Sequence, residues 1–384
     1  MSLADALPDF PWDSLAQARS VAESHPGGIV DLSVGTPVDP TPQLIQDALT
    51  AGADAHGYPT THGTPALREA ISGWFARRRN VPGLDPEAVI PTVGSKEFIA
   101  WLPLLLGIGP GDVVVRPSVA YPTYDIGAQL VGATPVAADS LDELDADVRS
   151  RVKLIWTNSP ANPTGKVTGV EELRAVVGQG RDLGAVVAGD ECYAELGWDR
   201  WDGPASTPCI LDPEISGGDH TGLLSVYSLS KQSNLAGYRA AFAAGDRDLV
   251  LNLVNSRKHA GMIVPAPVQS AMTVALRDDA HVQEQKDRYR RRRTLLKDAL
   301  QARGLVVEHS EAGLYLWTRD GRLPDDGQSA PSAQSSWDLV GEFAELGILV
   351  GPGTFYGDQG NGYVRVAITA TDDAVEQAAA RLRA

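Results

Sequence analysis

The sequence predicts an α/β protein in which a mostly parallel sheet carries helices on both faces and a smaller α+β domain follows. Up to about residue 245, short apolar runs rich in β-branched residues alternate with longer helical patterns, as in chains that build parallel sheets. Several of these runs lack in-and-out alternation, which is typical of strands buried on both faces. The chain has 384 residues, and since one core rarely grows beyond roughly 250–300 residues, two domains are expected.

Each element of this fold can be assigned in order along the chain. The first part predicts strands at residues 113–116, 134–137, 153–157, 185–188, 223–227 and 240–244, with helices at 64–79, 96–106, 118–131 and 170–183. The second part predicts a helical stretch from 248 that breaks at Pro265 and Pro267, a helix at 280–303, strands at 305–307, 313–317 and 363–368, and helices at 336–346 and from 372. We therefore predict a large domain at residues 35–265 and a discontinuous small domain at 1–34 and 266–384, which includes an N-terminal arm.

The composition limits the classes of function. Acidic residues outnumber Lys and Arg by 49 to 33, a formal charge of −16, whereas nucleic-acid binders need a basic surface, so no nucleic-acid partner is expected. Cys192 and Cys209 cannot form a disulfide framework and show no zinc-ligand spacing, so no metal is expected. The sequence has no signal-peptide pattern and no apolar run of the roughly 20 residues that span a bilayer, which predicts a cytoplasmic protein without a membrane partner.

A lysine motif follows the apolar run at 223–227. The letters SLSK place hydroxyl groups at Ser228 and Ser230 before Lys231, and GYR ends at Arg239. A lysine at the end of a rigid strand can form a Schiff base with an aldehyde, while the hydroxyls and the guanidinium can hold a phosphate. Taken alone, the motif fits a surface lysine after a strand equally well.

Polar residues also follow the two preceding apolar runs. Asp190 and Tyr193, in GDECY, follow the run at 185–188, and Asn162, in NSPANPTG, follows the run at 153–157. The carboxyl ends of parallel strands are where α/β sheets bind ligands. There, Asp190 can keep a pyridine nitrogen protonated and Tyr193 can donate to a phenolic oxygen on the ring. Taken alone, Asp190 would also suit a helix N-cap and the proline-rich segment an ordinary turn.

Two further segments can bind anions. The letters GSKE, which contain Ser95, Lys96 and Glu97, begin a predicted helix whose free backbone N–H groups favour a phosphate, although a plain helix start is equally consistent. Arg365 lies in the apolar run at 363–368, where its guanidinium needs a partner. Either a substrate α-carboxylate or a structural ion pair would provide that partner.

In this order the motifs resemble those of the class I/II aminotransferases of pyridoxal-phosphate fold type I. The resemblance covers about residues 35 to 365, at about the family's spacings, and includes Tyr58 and Tyr121. It implies a mostly parallel seven-stranded sheet between helices in the large domain, beside the smaller α+β domain. It also implies pyridoxal 5′-phosphate as the cofactor, amino and keto acids as substrates, and a homodimer with shared active sites.

The resemblance implies a role for each matching residue. Lys231 matches the lysine that forms the Schiff base and moves the substrate's α-proton, with Asp190 and Tyr193 as the other catalytic residues. The implied cofactor-binding residues are these three together with Ser95 and Lys96 through backbone N–H groups, Tyr121 stacked on the ring, Asn162 at the phenolic oxygen, Ser228, Ser230 and Arg239 at the phosphate, and Tyr58 at the phosphate of the neighbouring subunit. The implied substrate-binding residues are Arg365 as the α-carboxylate clamp, Gly35 beside it, Asn162 and Glu97.

Three segments resemble particular members of this family and indicate which substrate to expect. The loop at 94–97 resembles that of diaminopimelate-type aminotransferases, and the segments at 7–12 and 257–269 resemble bacterial N-succinyl-diaminopimelate aminotransferases. The expected reaction, in lysine biosynthesis, converts N-succinyl-L,L-2,6-diaminopimelate and 2-oxoglutarate to N-succinyl-2-amino-6-oxopimelate and glutamate. Candidates for binding the distal carboxylate are Lys96, Arg257, Lys258 and His259.

Other functions remain open at this point. One alternative is an aminotransferase for aspartate, alanine or aromatic amino acids, and another is a β-eliminating lyase on the same scaffold. A non-catalytic ligand-binding module is disfavoured, because Lys231, Asp190 and Arg365 occur together.

Overall fold

The structure, a computed structural model, describes residues 7–322 and 332–384, so the first six residues of the predicted N-terminal arm lie outside the described residues. The α-helices are α1 Ala16–Glu23, α2 Gln43–Ala51, α3 Pro65–Arg78, α4 Ser95–Leu105, α5 Thr123–Leu130, α6 Ala146–Ser150, α7 Val170–Leu183, α8 Pro213–Ser216, α9 Leu229–Gln232, α10 Arg247–Ala260, α11 Ala266–Arg277, α12 Ala280–Ala302, α13 Ala333–Glu345 and α14 Asp372–Arg383. The strands are β1 Val30–Asp31, β2 Val89–Val93, β3 Val113–Arg116, β4 Thr134–Ala137, β5 Val152–Asn158, β6 Val186–Asp190, β7 Leu223–Ser228, β8 Ala240–Gly245, β9 Leu305–Glu308, β10 Tyr315–Asp320, β11 Ile348–Leu349, β12 Gly351–Pro352 and β13 Tyr363–Ala367. Within the described ranges, no helix has both the length and the apolar character needed to cross a membrane.

The central sheet has seven strands in the order β2-β8-β7-β6-β5-β3-β4. The pairs from β7 to β4 are parallel, and β8 runs antiparallel to both of its neighbours. Alternate residues of β5 enter different apolar clusters, Ile155 on one face and Trp156 on the other, so helices cover both faces. The prediction of a mostly parallel seven-stranded sheet between helices is therefore confirmed. Because β5, β6 and β7 are parallel neighbours, the residues that follow them lie along one edge.

A smaller four-stranded antiparallel sheet has the order β12-β13-β10-β9, and β1 pairs with β11 in a separate short ladder. Leu15 and Leu32 of the N-terminal segment join the apolar cluster that packs on this sheet. The predicted division into two domains stays a prediction. Helix α11, which that division assigns to the small domain, contributes Met272 and Leu276 to a cluster of the central sheet.

Two differences from the predicted elements have clear physical causes. Strand β2 has no counterpart among the predicted strands, because Pro91 lacks the N–H that a central strand would need. The strand is tolerated because it lies at the edge of the sheet and pairs only with β8. Helix α5 begins at Thr123 rather than at residue 118, directly after Pro122, since a proline disfavours helical conformation in the residue before it.

Candidate active site

A cavity of about 480 Å³ lies at the C-terminal edge of β5, β6 and β7, next to the small sheet. Its lining contains most of the residues singled out from the sequence. These are Gly35, Ser95, Lys96, Tyr121, Asn162, Asp190, Tyr193, Ser228, Ser230, Lys231, Arg239 and Arg365. The structure thus brings together motifs that are separated by up to several hundred residues. Asn162, Asp190 and Lys231 come from parallel strands that end at the same edge, whereas Arg365 is contributed by β13 of the small sheet.

Lys231 is directed into the cavity by the short helix α9. Ser228 ends β7 and caps this helix, its hydroxyl accepting from the N–H of Ser230 at 3.2 Å. The Lys231 ammonium donates to the carbonyl of Gly35. Burial lowers the pKa of Lys231, and the positive charge of Arg365 acts in the same direction. A lysine in this environment keeps more of its amine form at a given pH, as a nucleophile or a base requires.

Asp190 ends β6 and is a buried acidic group on the cavity wall. Its carboxylate accepts from the hydroxyl of Tyr124 at 2.8 Å and from the N–H of Cys192 at 3.2 Å. Burial raises the pKa of Asp190, against the opposing effect of these hydrogen bonds. No cation pairs with Asp190 among the residues that the structure describes. A ligand that brings a positive nitrogen would compensate this buried charge, and a protonated pyridine ring fits that requirement.

An anion-binding pocket lies between the start of α4 and the loop after β7. Arg239 and Lys96 both line it, and neither has an ion-pair partner within residues 7–322 and 332–384. Burial lowers the pKa of Lys96, and the charge of Arg239 adds to this effect. The hydroxyls of Ser228 and Ser230 lie 2.8 Å apart beside the two cations. The guanidinium of Arg239, the two hydroxyls and the backbone N–H groups at the start of α4 are suited to a phosphate group, which leaves the side chain of Lys96 available to another anion.

Arg365 lies on β13 of the small sheet and is buried. It donates to the amide oxygen of Asn162 at 3.1 Å and to the carbonyl of Ser33 at 2.7 Å, and its Nε has no partner. Its guanidinium carbon lies 4.1 Å from the ring centre of Tyr315. In the described part of the chain no carboxylate pairs with it, which favours the substrate carboxylate over the structural ion pair.

Hydrogen bonds hold the loops after β5 and β6 together. Asn158, at the end of β5, accepts from the N–H of Asn162 at 2.8 Å and donates to the carbonyl of Asp190 at 3.1 Å. The hydroxyl of Tyr193 lies 3.2 Å from that of Tyr315. Asn158, Tyr124, Tyr315 and Trp12 also line the cavity and were missed by the sequence reasoning. The position of Asn158 at the end of an apolar run was the available signal for it.

Two predicted site residues do not line the cavity. Glu97 forms a bidentate ion pair with the fully buried Arg257, at 2.9 and 3.1 Å, so each group satisfies the other. Arg257, a candidate for binding a distal carboxylate, is therefore not available for that role, and Glu97 has no contact with the cavity. Tyr58 is fully exposed outside the cavity of its own chain, and its role toward a neighbouring subunit stays a prediction.

Comparison with known proteins gives a consistent family assignment. The model of the family described as aminotransferase class I and II matches residues 28–382. The 4-dedimethylamino-4-oxo-anhydrotetracycline transaminase OxyQ of Streptomyces rimosus is 53% identical over 98% of this chain and 99% of its own length. The LL-diaminopimelate aminotransferase of Aquifex aeolicus is 31% identical over 98% and 96% of the two chains. A solved structure of a probable N-succinyldiaminopimelate aminotransferase from Thermus thermophilus is 26% identical, with a TM-score of 0.83 over 97% and 99% of the chains.

Proposed function

Because this chain belongs to the class I and II aminotransferase family, we propose that it transfers an amino group from N-succinyl-L,L-2,6-diaminopimelate to 2-oxoglutarate. Its cofactor is pyridoxal 5′-phosphate, on which the family depends. The observation that carries the substrate proposal is Lys96, an unpaired cation on the wall of the cavity. The succinylated compound donates the amino group in this reaction, and glutamate donates it in the reverse direction. Both carry a second carboxylate away from the reacting carbon.

Different residues of the chain have different roles in the proposed reaction. Arg365 binds the substrate's α-carboxylate, and its bonds to Asn162 and Ser33 fix the direction of the guanidinium. Lys231, once its amine is free, removes the proton from the substrate α-carbon and later returns a proton. Asp190 would hold a positive charge on the ring nitrogen of the cofactor, and Tyr193 would hold its phenolic oxygen. When bound, the cofactor would supply an electron sink for the pair left at the α-carbon.

Lys96 is the cation best suited to a distal carboxylate. Its ammonium lies 5.3 Å from the ring centre of Phe10 and 5.5 Å from that of Tyr121, so two aromatic rings flank it. Lys258, by contrast, donates to Asn255 and does not line the cavity, and neither does His259. An ammonium between two rings can meet a carboxylate while the rings pack against the methylene chain of the substrate.

We expect Lys96→Gln to lower kcat/KM for glutamate and for the succinylated substrate by about tenfold, the equivalent of one charged hydrogen bond. Activity with alanine, which has no second carboxylate, should change by less than about twofold. Steady-state kinetics with glutamate, with the succinylated substrate and with alanine measure the change in kcat/KM for each donor. The matched control is Lys153→Gln, because Lys153 is exposed at the start of β5, at the opposite edge of the sheet from the cavity. Equal losses with glutamate and alanine would contradict the role of Lys96.

We expect Gly94→Ala to weaken binding of pyridoxal phosphate by at least about tenfold, the loss of one charged hydrogen bond to the phosphate. Gly94 has φ +80°, which strains any side chain there, and an added Cβ would overlap the guanidinium of Arg239, so the guanidinium must shift from its position in the anion pocket. Equilibrium dialysis of the apoprotein against the cofactor gives the affinity. Gly178→Ala is the control, since a Cβ at Gly178 in α7 meets no atom within 4 Å. Unchanged affinity in Gly94→Ala would remove Arg239 from the phosphate site.

A second candidate is amination of a planar polycyclic ketone, the kind of substrate in the name of the Streptomyces rimosus relative. Its support is a group of aromatic rings near the cavity. The ring of Trp12 lies 5.4 Å from that of Phe10, 5.7 Å from that of Tyr121 and 5.1 Å from that of Phe355. Such rings can stack on a flat substrate as readily as they can flank a methylene chain.

The deciding experiment begins with an absorbance spectrum of the protein with pyridoxal phosphate. A visible band that is lost with glutamate and returns with 2-oxoglutarate would support transamination, whereas release of pyruvate and ammonia would indicate a β-lyase. The substrates are then compared at equal concentration: the succinylated diaminopimelate, aspartate, an aromatic amino acid and the 4-oxo-anhydrotetracycline. Faster turnover of any of the last three would overturn the first proposal.

We also propose that the active enzyme is a homodimer whose sites are shared. Tyr58, Val34 and Val38 are exposed in the single chain although they are large and apolar or aromatic. Val34 lies beside the predicted substrate-binding Gly35 and lines the cavity. A second subunit that covers these residues would bring the partner's Tyr58 to the phosphate. Sedimentation at working concentration gives the mass, and a monomer with full activity would exclude shared sites.

A further inference from the structure

Tyr315 is a buried titratable residue of the cavity to which neither the sequence motifs nor the proposed mechanism gives a role. It begins β10, next to β13, the strand that carries Arg365. Its side chain is buried and lines the cavity. A phenol in this position needs an explanation, because a buried hydroxyl is costly unless it is hydrogen-bonded.

The contacts of Tyr315 reach three groups of the proposed mechanism. Its hydroxyl lies 3.2 Å from the hydroxyl of Tyr193, and its ring lies beneath Arg365, 4.1 Å from the guanidinium carbon. Its hydroxyl also packs so closely on Gly35 that a Cβ at that position would overlap it. Gly35 in turn accepts the hydrogen bond from Lys231. The Tyr315 side chain therefore contacts Gly35, whose carbonyl accepts from Lys231, as well as the phenol of Tyr193 and the guanidinium of Arg365.

We propose that Tyr315 is a positioning residue of the reaction: its hydroxyl orients that of Tyr193 toward the cofactor, and its negative end stabilises the protonated nitrogen of Lys231. The inference rests on the proposed function, in particular on Lys231 as the lysine that binds pyridoxal phosphate.

The electrostatics of the two phenols support a fixed direction for their hydrogen bond. Burial raises the pKa of Tyr193 well above its ordinary value. Burial also tends to raise the pKa of Tyr315, but the charges of Arg365 and Lys231 outweigh it and lower that pKa. The more acidic phenol is the better hydrogen-bond donor, so Tyr315 donates to the oxygen of Tyr193 and leaves the Tyr193 proton free for the cofactor. The Tyr315 oxygen is the negative end of its own O–H dipole.

Charged and titratable groups from several elements of the described chain interact with the pair, and the Asp190 carboxylate lines the same cavity. Lys231 interacts with Tyr315, Arg365, Cys192 and Arg239, and Tyr315 also interacts with Tyr193, Tyr121, Tyr289 and Tyr356. Of these, Arg365 and Arg239 disfavour a proton on Lys231, whereas Tyr315 and Cys192 favour it. Burial raises the pKa of the Cys192 thiol well above its ordinary value, which keeps this thiol neutral. Of the groups that interact with Lys231, the Tyr315 hydroxyl is therefore the one whose removal we expect to weaken the proton on that nitrogen.

The test is Tyr315→Phe, which keeps the ring under Arg365 and removes only the hydroxyl. The readout is the pH midpoint of the visible absorption of the protein loaded with pyridoxal phosphate, which reports the proton on the Lys231 nitrogen. Since Tyr315 favours that proton, its loss should move the midpoint to lower pH, by about half a unit or more. This spectroscopic shift requires no substrate and is independent of the identity of the amino donor.

Tyr356→Phe is the matched control. The Tyr356 ring also faces Arg365, with 5.2 Å between the ring centre and the guanidinium carbon, but its hydroxyl is buried without a partner. This variant should keep the native midpoint, and thermal unfolding verifies that both variants are folded. A native midpoint in Tyr315→Phe, or equal shifts in both variants, would overturn the inference while leaving the proposed function intact. No visible band in the native protein would overturn the assignment of Lys231, and both proposals would fail together.

Discussion

Lys231→Ala is expected to abolish the visible absorption of the loaded protein and to lower the rate of transamination by at least about 10⁴-fold, the upper range for a single acid–base group. The replacement removes the amine that we propose binds the cofactor covalently and moves the α-proton. Burial lowers the pKa of Lys231, and within residues 7–322 and 332–384 Lys96 is the only other lysine that lines the cavity. Single-turnover kinetics with glutamate and a spectrum of the same sample provide the measurement.

The control for Lys231→Ala is Lys153→Ala, on the exposed side of β5. It should keep native activity, because its side chain lies away from the cavity. Non-covalent retention of pyridoxal phosphate by Lys231→Ala is compatible with the assignment, since the phosphate pocket is intact. More than about one hundredth of the native rate in this variant would contradict it.

Asp190→Asn is expected to act in opposite directions on activity and on the stability of the apoprotein. Removing a preorganised charge next to the reacting system lowers kcat by about 10²–10³-fold. In the apoprotein, however, burial raises the pKa of Asp190, and no cation of the described segments compensates the charge. Its neutral isostere therefore removes an unfavourable group, and Tyr124 can turn its hydroxyl to accept from the new amide. The melting temperature of the apoprotein should rise at neutral pH.

The pH dependence of the Asp190→Asn effect follows from the sign of the shift. A carboxyl whose pKa is higher in the folded state binds its proton more tightly there, so it favours folding at low pH and this contribution is lost as the pH rises. The gain from Asp190→Asn should therefore be present at neutral pH and disappear below the ordinary carboxyl pKa. Thermal unfolding of the apoprotein at neutral pH and below the ordinary carboxyl pKa measures this gain in stability. Asp147→Asn is the control, because the side chain of Asp147 is exposed. A stabilisation that persists equally at low pH would show that charge is not its cause.

The sequence predicted the central sheet well where strands are apolar and continuous. Strand β3 has the predicted bounds because it begins with a run of three valines. Strand β4 also has the predicted bounds, and its Pro135 is tolerated because β4 lies at the other edge of the sheet. Strand β2 escaped prediction because of Pro91, whose missing donor is harmless only at an edge. Whether a strand lies at an edge depends on the order of strands in the sheet, which local patterns do not contain.

Much of the candidate site could be predicted because its residues follow apolar strands that are recognisable in the sequence. Asn162, Asp190 and Lys231 follow three parallel neighbours, and a strand's carboxyl end is recognisable in the sequence. Tyr124, which bonds Asp190, lies inside a helix, and no local signal connects it to that carboxylate.

Residues outside these strand ends depend on pairings that local patterns do not specify. Arg257 and Glu97 stand 160 positions apart, so neither segment alone reveals their ion pair. Tyr315 had only a weak signal, a phenol within an apolar strand whose partner strand was not known.

The carboxylate clamp has a consequence for how this protein responds to its surroundings. Arg365 is held by neutral oxygens and aromatic rings, and its Nε has no partner. A guanidinium kept ready in this way does not distinguish a substrate from any other small monoanion that reaches it. If Arg365 binds the substrate carboxylate as proposed, we expect acetate, formate and similar buffer anions to compete with the amino acid, so that apparent KM values change with the buffer salt.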